Sequence, residues 1–246
     1  MKTIAIFYFA VIATTIAVEL PSNFKTCKRS DPNMSQCLTN VVKEAIIFLA
    51  DGLESLKIEP LEQMKFEFKI NGTHGPVQMT QEYQNGKLYG LTKRFELHDF
   101  QIDWDNSVMK FYVFHEEISF LGDYKVQGKI LVVPVYGNGK FKMSVYNVTT
   151  HHEIYFKTFE KNRESYIRVN KYFIKTFYKR VTLHYDNLFD GNEALGNNIN
   201  KFVNDNSMYL FGEFVPFLEE AFARAFFKIS NQIFTHVPMN KIFPLT

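Results

Sequence analysis

Histidine–glutamate pairs are the first groups in this chain to test for chemistry. His152-Glu153-Ile154-Tyr155-Phe156 begins like the His-Glu-x-x-His of zinc peptidases, in which two histidines one helical turn apart hold the metal and the glutamate acts as base. Its fifth residue is Phe156, so the second ligand is missing. His115-Glu116-Glu117-Ile118-Ser119 fails at the same place. His151 and His152 are neighbours in an extended run, face opposite ways and do not readily share an ion. No Gly-x-Ser-x-Gly elbow occurs, and Gly137-Asn138-Gly139 reads as a hairpin turn, not a phosphate loop. The histidines are therefore read as surface or hydrogen-bonding residues. The chain is read as a non-enzyme that needs no cofactor and no metal.

Cys27 and Cys37 are the two cysteines of the chain. In an oxidising compartment they are expected to pair, and closing so short a loop stabilises by roughly 2–3 kcal/mol in the chain-entropy account. That compartment follows from the N-terminus. Lys2 precedes an uncharged apolar stretch from Ile4 to Ala13, and Thr15 and Ala17 place small side chains at the −3 and −1 positions. Residues 1–17 read as a cleaved signal peptide and residues 18–246 as one domain. The stretch between Lys2 and Glu19 is shorter than the roughly 20 residues of a membrane span, and no later segment reaches that length. Stable membrane insertion is not expected. Three sequons fit secretion: Asn33-Met34-Ser35, Asn71-Gly72-Thr73 and Asn147-Val148-Thr149. Asn33 lies within the disulfide loop and is the least accessible of them.

Charge is nearly balanced, with 28 basic against 26 acidic residues, and the basic ones are dispersed. Nucleic acid is not an expected partner. The aromatic load is more distinctive: 26 Phe and 13 Tyr bring a large apolar area. A well-filled core would account for it without any ligand.

Behind these groups stand three kinds of element. Met34, Leu38, Val41, Val42, Ala45, Ile46 and Leu49 recur at three- and four-residue spacing, which predicts a helix between the Asp31-Pro32-Asn33 turn and Asp51-Gly52. From about Leu61 to His184 the pattern alternates, as in Phe66, Phe68 and Ile70, in Phe100, Ile102 and Trp104, and in Phe141, Met143 and Val145. Turn signals are read at Asn71-Gly72, Asn85-Gly86, Asp105-Asn106, Leu121-Gly122-Asp123 and Gly137-Asn138-Gly139. With no helical pattern between them, the strands must be mostly antiparallel. From about Asn198 to Val237 one helical pattern covers some 40 residues, roughly 60 Å, with an apolar arc over half its circumference and Pro216 expected to bend it. The reading is α+β: a strongly curved antiparallel sheet wrapped around a long C-terminal helix, a tube that could hold lipid.

Taken in order, several strings resemble the juvenile-hormone-binding/takeout family over essentially the whole chain after the signal segment. They are LPSNFKTCKRSDPNMSQCL (20–38), IEPLEQM (58–64), GPVQM (75–79), GDYKVQGKILVVPVYGNGK (122–140) and YDNLFDGNEALGNNINKFVNDN (185–206). The resemblance implies a tubular lipid-binding fold with an internal hydrophobic tunnel, and carriage of juvenile hormone or other apolar ligands in haemolymph or another extracellular fluid. Ser207 stands where the family often has Trp, and the extra cysteines usual in high-affinity hormone carriers are missing. Both departures point to the takeout-like branch.

The expected function is a secreted, monomeric carrier of a small hydrophobic ligand (a terpenoid hormone, fatty acid or quinone-like lipid), with an unidentified receptor as a further partner. The alternative is a secreted signalling or interaction protein of the same fold without cargo. Expected lining on the helix side is Leu210, Phe214, Phe217, Leu218, Ala221, Phe222 and Phe226. On the sheet side it is Phe66, Phe68, Val132, Phe141 and Met143. Tyr124, Tyr136 and Tyr146 are the candidate hydroxyls for an ester, epoxide or quinone oxygen.

Overall fold

A computed structural model describes residues 20–22, 24–72, 75 and 77–245. The expected signal peptide, residues 1–17, lies outside the described residues, as does Thr73 of the second sequon. The apolar stripe read near the N-terminus forms helix α1 (Met34–Phe48). Seven strands follow: β1 (Met64–Asn71), β2 (Val77–Tyr89), β3 (Phe95–Asp103), β4 (Val108–Ile130), β5 (Val133–Lys161), β6 (Glu164–Phe177) and β7 (Arg180–Tyr185). Helices α2 (Glu193–Asp205), α3 (Ser207–Gly212), α4 (Val215–Phe234) and α5 (Met239–Ile242) end the chain.

Every strand pairing is antiparallel, in the order β1-β2-β4-β5-β6. β4 and β5 run 23 and 29 residues and form the spine, paired from Val108↔Tyr155 to Ile130↔Val133. Four of the shorter strands cover parts of the spine, and β1 pairs with β2. β3 pairs with Val108–His115 and β2 with Ser119–Ile130 of β4, while β6 begins at Thr149 and β7 covers Phe141–Tyr146 of β5. Register shifts at Phe66/Phe68, Gln84/Lys87, His98/Gln101 and Tyr155/Phe156 bend these strands and increase their twist. The sheet is thereby curled into a half-barrel against the C-terminal helices.

Three expected turns are not turns. Asn85-Gly86, Leu121-Gly122-Asp123 and Gly137-Asn138-Gly139 all lie inside strands. Their glycines serve close approach instead. A Cβ on Gly137 would stand 2.9 Å from Cα of Leu188, and one on Gly139 would stand 2.8 Å from the Asp186 carbonyl oxygen, where the chain leaving β7 crosses β5. The β4–β5 hairpin turns at Leu131-Val132, which carries no turn-residue signal.

The long terminal helix is also broken, at Asn206 and at Glu213-Phe214. Pro216 does not bend a continuous helix. It sits in the first turn of α4, where its missing N–H would have had no intrahelical partner. Glu213 and Phe214 keep right-handed helical angles, so the break is a turn within a helical path.

Asparagines fasten these helices to the sheet edge. Asn200 accepts from Tyr185 N–H and donates to the Tyr185 carbonyl, both at 2.9 Å. Asn204 does the same for Leu183 and Asn231 for Val169. Glu219 accepts from Thr176 N–H at 2.6 Å. An edge strand otherwise offers these groups to other chains; here helix side chains occupy them. At the other end the Cys27–Cys37 disulfide, with Cα atoms 5.9 Å apart, ties the N-terminal segment to α1.

Candidate ligand cavity

Because β3 and β6 cover one end of the spine and β2 and β7 the other, the space inside the curl has two parts. The larger, about 310 Å³, is walled by α1 through Leu38, Val41, Val42, Ala45 and Ile46. Opposite stand Phe111, Val113 and His115 of β4, with Val148, Thr150 and His152 of β5. Leu218, Phe222, Phe226 and Ile229 close it from α4. Lys25, at one margin, pairs with Glu44 at 2.8 Å, and its side chain is 67% exposed. The smaller part, about 70 Å³, lies between β1, β2, β7 and helices α2 and α3. Phe120, Phe211 and Leu218 line both parts and form the partition between them.

The polar groups of this apolar interior follow from strand parity. His115 is in phase with Phe111 and Val113, so β4 turns it inward, and His152 is in phase with Ile154 on β5. Each is 5% exposed. Burial lowers the pKa of His115 to about 4, against the opposing effect of its hydrogen bond to Leu91. Burial, then repulsion from His115 and His151, lowers that of His152 to about 3. Both rings are neutral near pH 7. His152 stacks on Phe111, with centroids 4.6 Å apart, and its Nδ1 lies 3.0 Å from the hydroxyl of Tyr172. Burial raises the Tyr172 hydroxyl above its ordinary pKa, so it stays protonated. In the smaller part the Tyr83 hydroxyl donates to Gln81 Oε1 at 2.9 Å and meets the Tyr185 hydroxyl at 3.1 Å. No cluster of three or more metal-binding side chains occurs among the described residues.

The profile of the haemolymph juvenile hormone binding protein (JHBP) family matches residues 5–244. The chain belongs to that family. The circadian clock-controlled protein daywake of Drosophila melanogaster is 24% identical over 233 residues, covering 91% of this chain and 88% of that protein. Its Drosophila yakuba counterpart is 23% identical over the same span. Takeout 1 of Epiphyas postvittana shares the fold, with a TM-score of 0.80 and 22% identity over 89% of this chain and 99% of that one.

Within this JHBP fold the expected lining residues separate. Phe66, Phe68, Phe141, Met143, Leu210 and Phe214 stand around the smaller part, Phe222 and Phe226 around the larger, and Leu218 borders both. Val132 does not line the space: it is 88% exposed at the β4–β5 hairpin. Phe217, about 100° round the helix from Leu218, is 54% exposed. Ala221 is half-buried and lines neither part.

The three expected hydroxyl anchors do not line it either. Tyr124 is buried, but its hydroxyl donates to the Asp186 carbonyl. Tyr136 packs edge-on against Phe189 near the surface, and Tyr146 lies under the Arg180 guanidinium, 4.0 Å from its ring centroid. Tyr172, Tyr83, Tyr185 and the two histidines stand where those anchors were sought. Parity with Phe111 and Val113 was the signal that could have placed His115.

Proposed function

We propose that this chain is a secreted carrier that holds one small, long, uncharged hydrophobic ligand in the space between sheet and helices. The observation that carries this reading is the cavity of about 310 Å³, lined almost wholly by apolar side chains and bordered by a second that shares Phe120, Phe211 and Leu218 with it. Its size lies at the lower end of the roughly 300–1,000 Å³ of small-molecule pockets. A sesquiterpenoid-sized ligand burying about 400 Å² would gain roughly 10 kcal/mol gross at 25 cal/mol/Å². Lost translational freedom and side-chain ordering bring this to a micromolar-to-nanomolar affinity. A charged guest would leave water without gaining a counter-ion, at a cost of several kcal/mol.

Secretion is supported by the signal-like residues 1–17 and by the disulfide, which suits an oxidising compartment. The side chains of Asn33, Asn71 and Asn147 are exposed, as glycosylation at these positions would require. The mature carrier, residues 18–246, is taken to act as a monomer in haemolymph or another extracellular fluid.

The test is native mass spectrometry of protein secreted from insect cells without added lipid, followed by solvent extraction. An adduct that extracts as an uncharged apolar molecule supports the carrier. Empty protein that also takes up no apolar fluorescent probe would leave the interaction-protein reading in its place.

A further inference from the structure

His115 forms part of the wall of the larger cavity and is 5% exposed. Its Nε2 lies 3.2 Å from the carbonyl oxygen of Leu91. A carbonyl can only accept, so Nε2 carries the hydrogen, and in the neutral ring Nδ1 keeps a bare lone pair. That Nδ1 is buried and has no partner in the protein. Phe95 stacks against the ring, with centroids 5.8 Å apart.

His152, its neighbour in the wall, is in a different position. Its Nε2 lies 2.8 Å from the Thr150 hydroxyl and its Nδ1 3.0 Å from the Tyr172 hydroxyl, so in either tautomer one nitrogen donates and the other accepts. Every polar site of His152 is used. His115 has one acceptor left over, and a buried acceptor without a donor costs roughly 1–3 kcal/mol.

We infer that His115 Nδ1 receives the hydroxyl hydrogen of the cargo, so that the ligand this cavity prefers is a long apolar alcohol. The inference rests on the carrier reading above. Esters, ethers, epoxides and ketones present only acceptors and leave Nδ1 unpaired. A carboxylate adds a negative charge facing the lone pair. An aliphatic or terpenoid alcohol matches the apolar walls along its length and supplies the single donor. A hydroxyl is harder to take out of water than an ether oxygen. A preference for the alcohol therefore requires a partner inside the protein.

The experiment is displacement of the fluorescent probe N-phenylnaphthylamine by myristyl alcohol and by methyl tridecyl ether, which has the same number of heavy atoms. The alcohol is expected to displace the probe at roughly ten-fold lower concentration. In His115→Phe the alcohol should lose this advantage and bind no better than the ether, because its hydroxyl is then buried without a partner. Equal affinities in the parent protein would overturn the role of His115 and leave the carrier intact. Failure of the parent to take up the probe or either ligand would overturn the carrier itself. If His115→Phe does not fold, the imidazole nitrogen-15 spectrum of the parent decides. The pyridine-type resonance of His115 should move upfield with the alcohol and stay in place with the ether. No movement with the alcohol would refute the bond.

Discussion

Asn231 of α4 holds both backbone groups of Val169 on β6, its Oδ1 accepting from the N–H at 2.9 Å and its Nδ2 donating to the carbonyl at 3.1 Å. The register between β6 and β5 leaves these two groups pointing away from the sheet. The helix that closes the cavity is thus bonded to the strand it closes against, and Asn200 and Asn204 repeat the arrangement on β7. Asparagine is a poor residue for a helix interior because its side chain competes for backbone groups. Here that competition is directed at another element.

Asn231→Leu should therefore destabilise by about 2–3 kcal/mol, because it strands a donor and an acceptor at a residue only 1% exposed. Urea unfolding measures the loss. Hydrogen exchange should show faster exchange at Val169 first. A stability within about 0.5 kcal/mol of the parent would mean that the asparagine is only decorative.

Acid should weaken the fold through the two cavity histidines. His115 is held down to about 4 and His152 to about 3, while an unfolded histidine titrates near 6.5. Below that value the unfolded chain binds protons that the folded chain refuses, so stability is complete above it and falls as pH drops towards the folded values. The urea midpoint should already be lower at about pH 5.5 than at about pH 7. Replacing both rings, as in His115→Phe with His152→Phe, should flatten that slope. An unchanged slope would contradict the neutral, buried assignment.

Charge in the cavity should be tolerated poorly. Phe222→Asp and Leu218→Asp place a carboxylate among apolar walls, and each should abolish uptake of an apolar fluorescent probe. Phe217→Asp, at a 54% exposed position on the same helix, should bind as the parent does. Circular dichroism on all three separates lost binding from lost folding. Binding by a folded Phe222→Asp protein would argue against this cavity as the site.

Reducing the Cys27–Cys37 bond should cost about 2–3 kcal/mol of stability by the loop-entropy argument. Cys27 and Leu38 also line the larger cavity, so Cys27→Ser with Cys37→Ser should weaken probe binding as well as lower the melting temperature. Alkylation without reduction checks the bond directly: neither thiol should react.

Alternation and helical spacing are local properties of a chain, and they determined much of what is seen. The stripe from Met34 to Leu49, the inward phase of Phe66, Phe68, Phe141 and Met143, and the apolar arc of α4 were legible because burial selects the same face at every turn or pleat. The cysteine pair was legible because no competing thiol exists. Tertiary structure decided the remainder. Asn85-Gly86, Gly122 and Gly137-Asn138-Gly139 have turn chemistry, yet the Phe66 ring at Gly86 and neighbouring backbone at the others pass so close that only glycine fits, and no local pattern records that neighbour. Leu131-Val132 turns the chain without turn residues because the long β4–β5 ladder fixes where the hairpin must close. Pro216 marked a bend in the sequence, but the packing of α3 and α4 made it a helix start. Tyr124, Tyr136 and Tyr146 have the same chemistry as Tyr172. Which hydroxyl meets the cavity was settled by the curl of the sheet, which brings β4, β5 and β6 around one space and leaves Nδ1 of His115 buried in its wall without a partner.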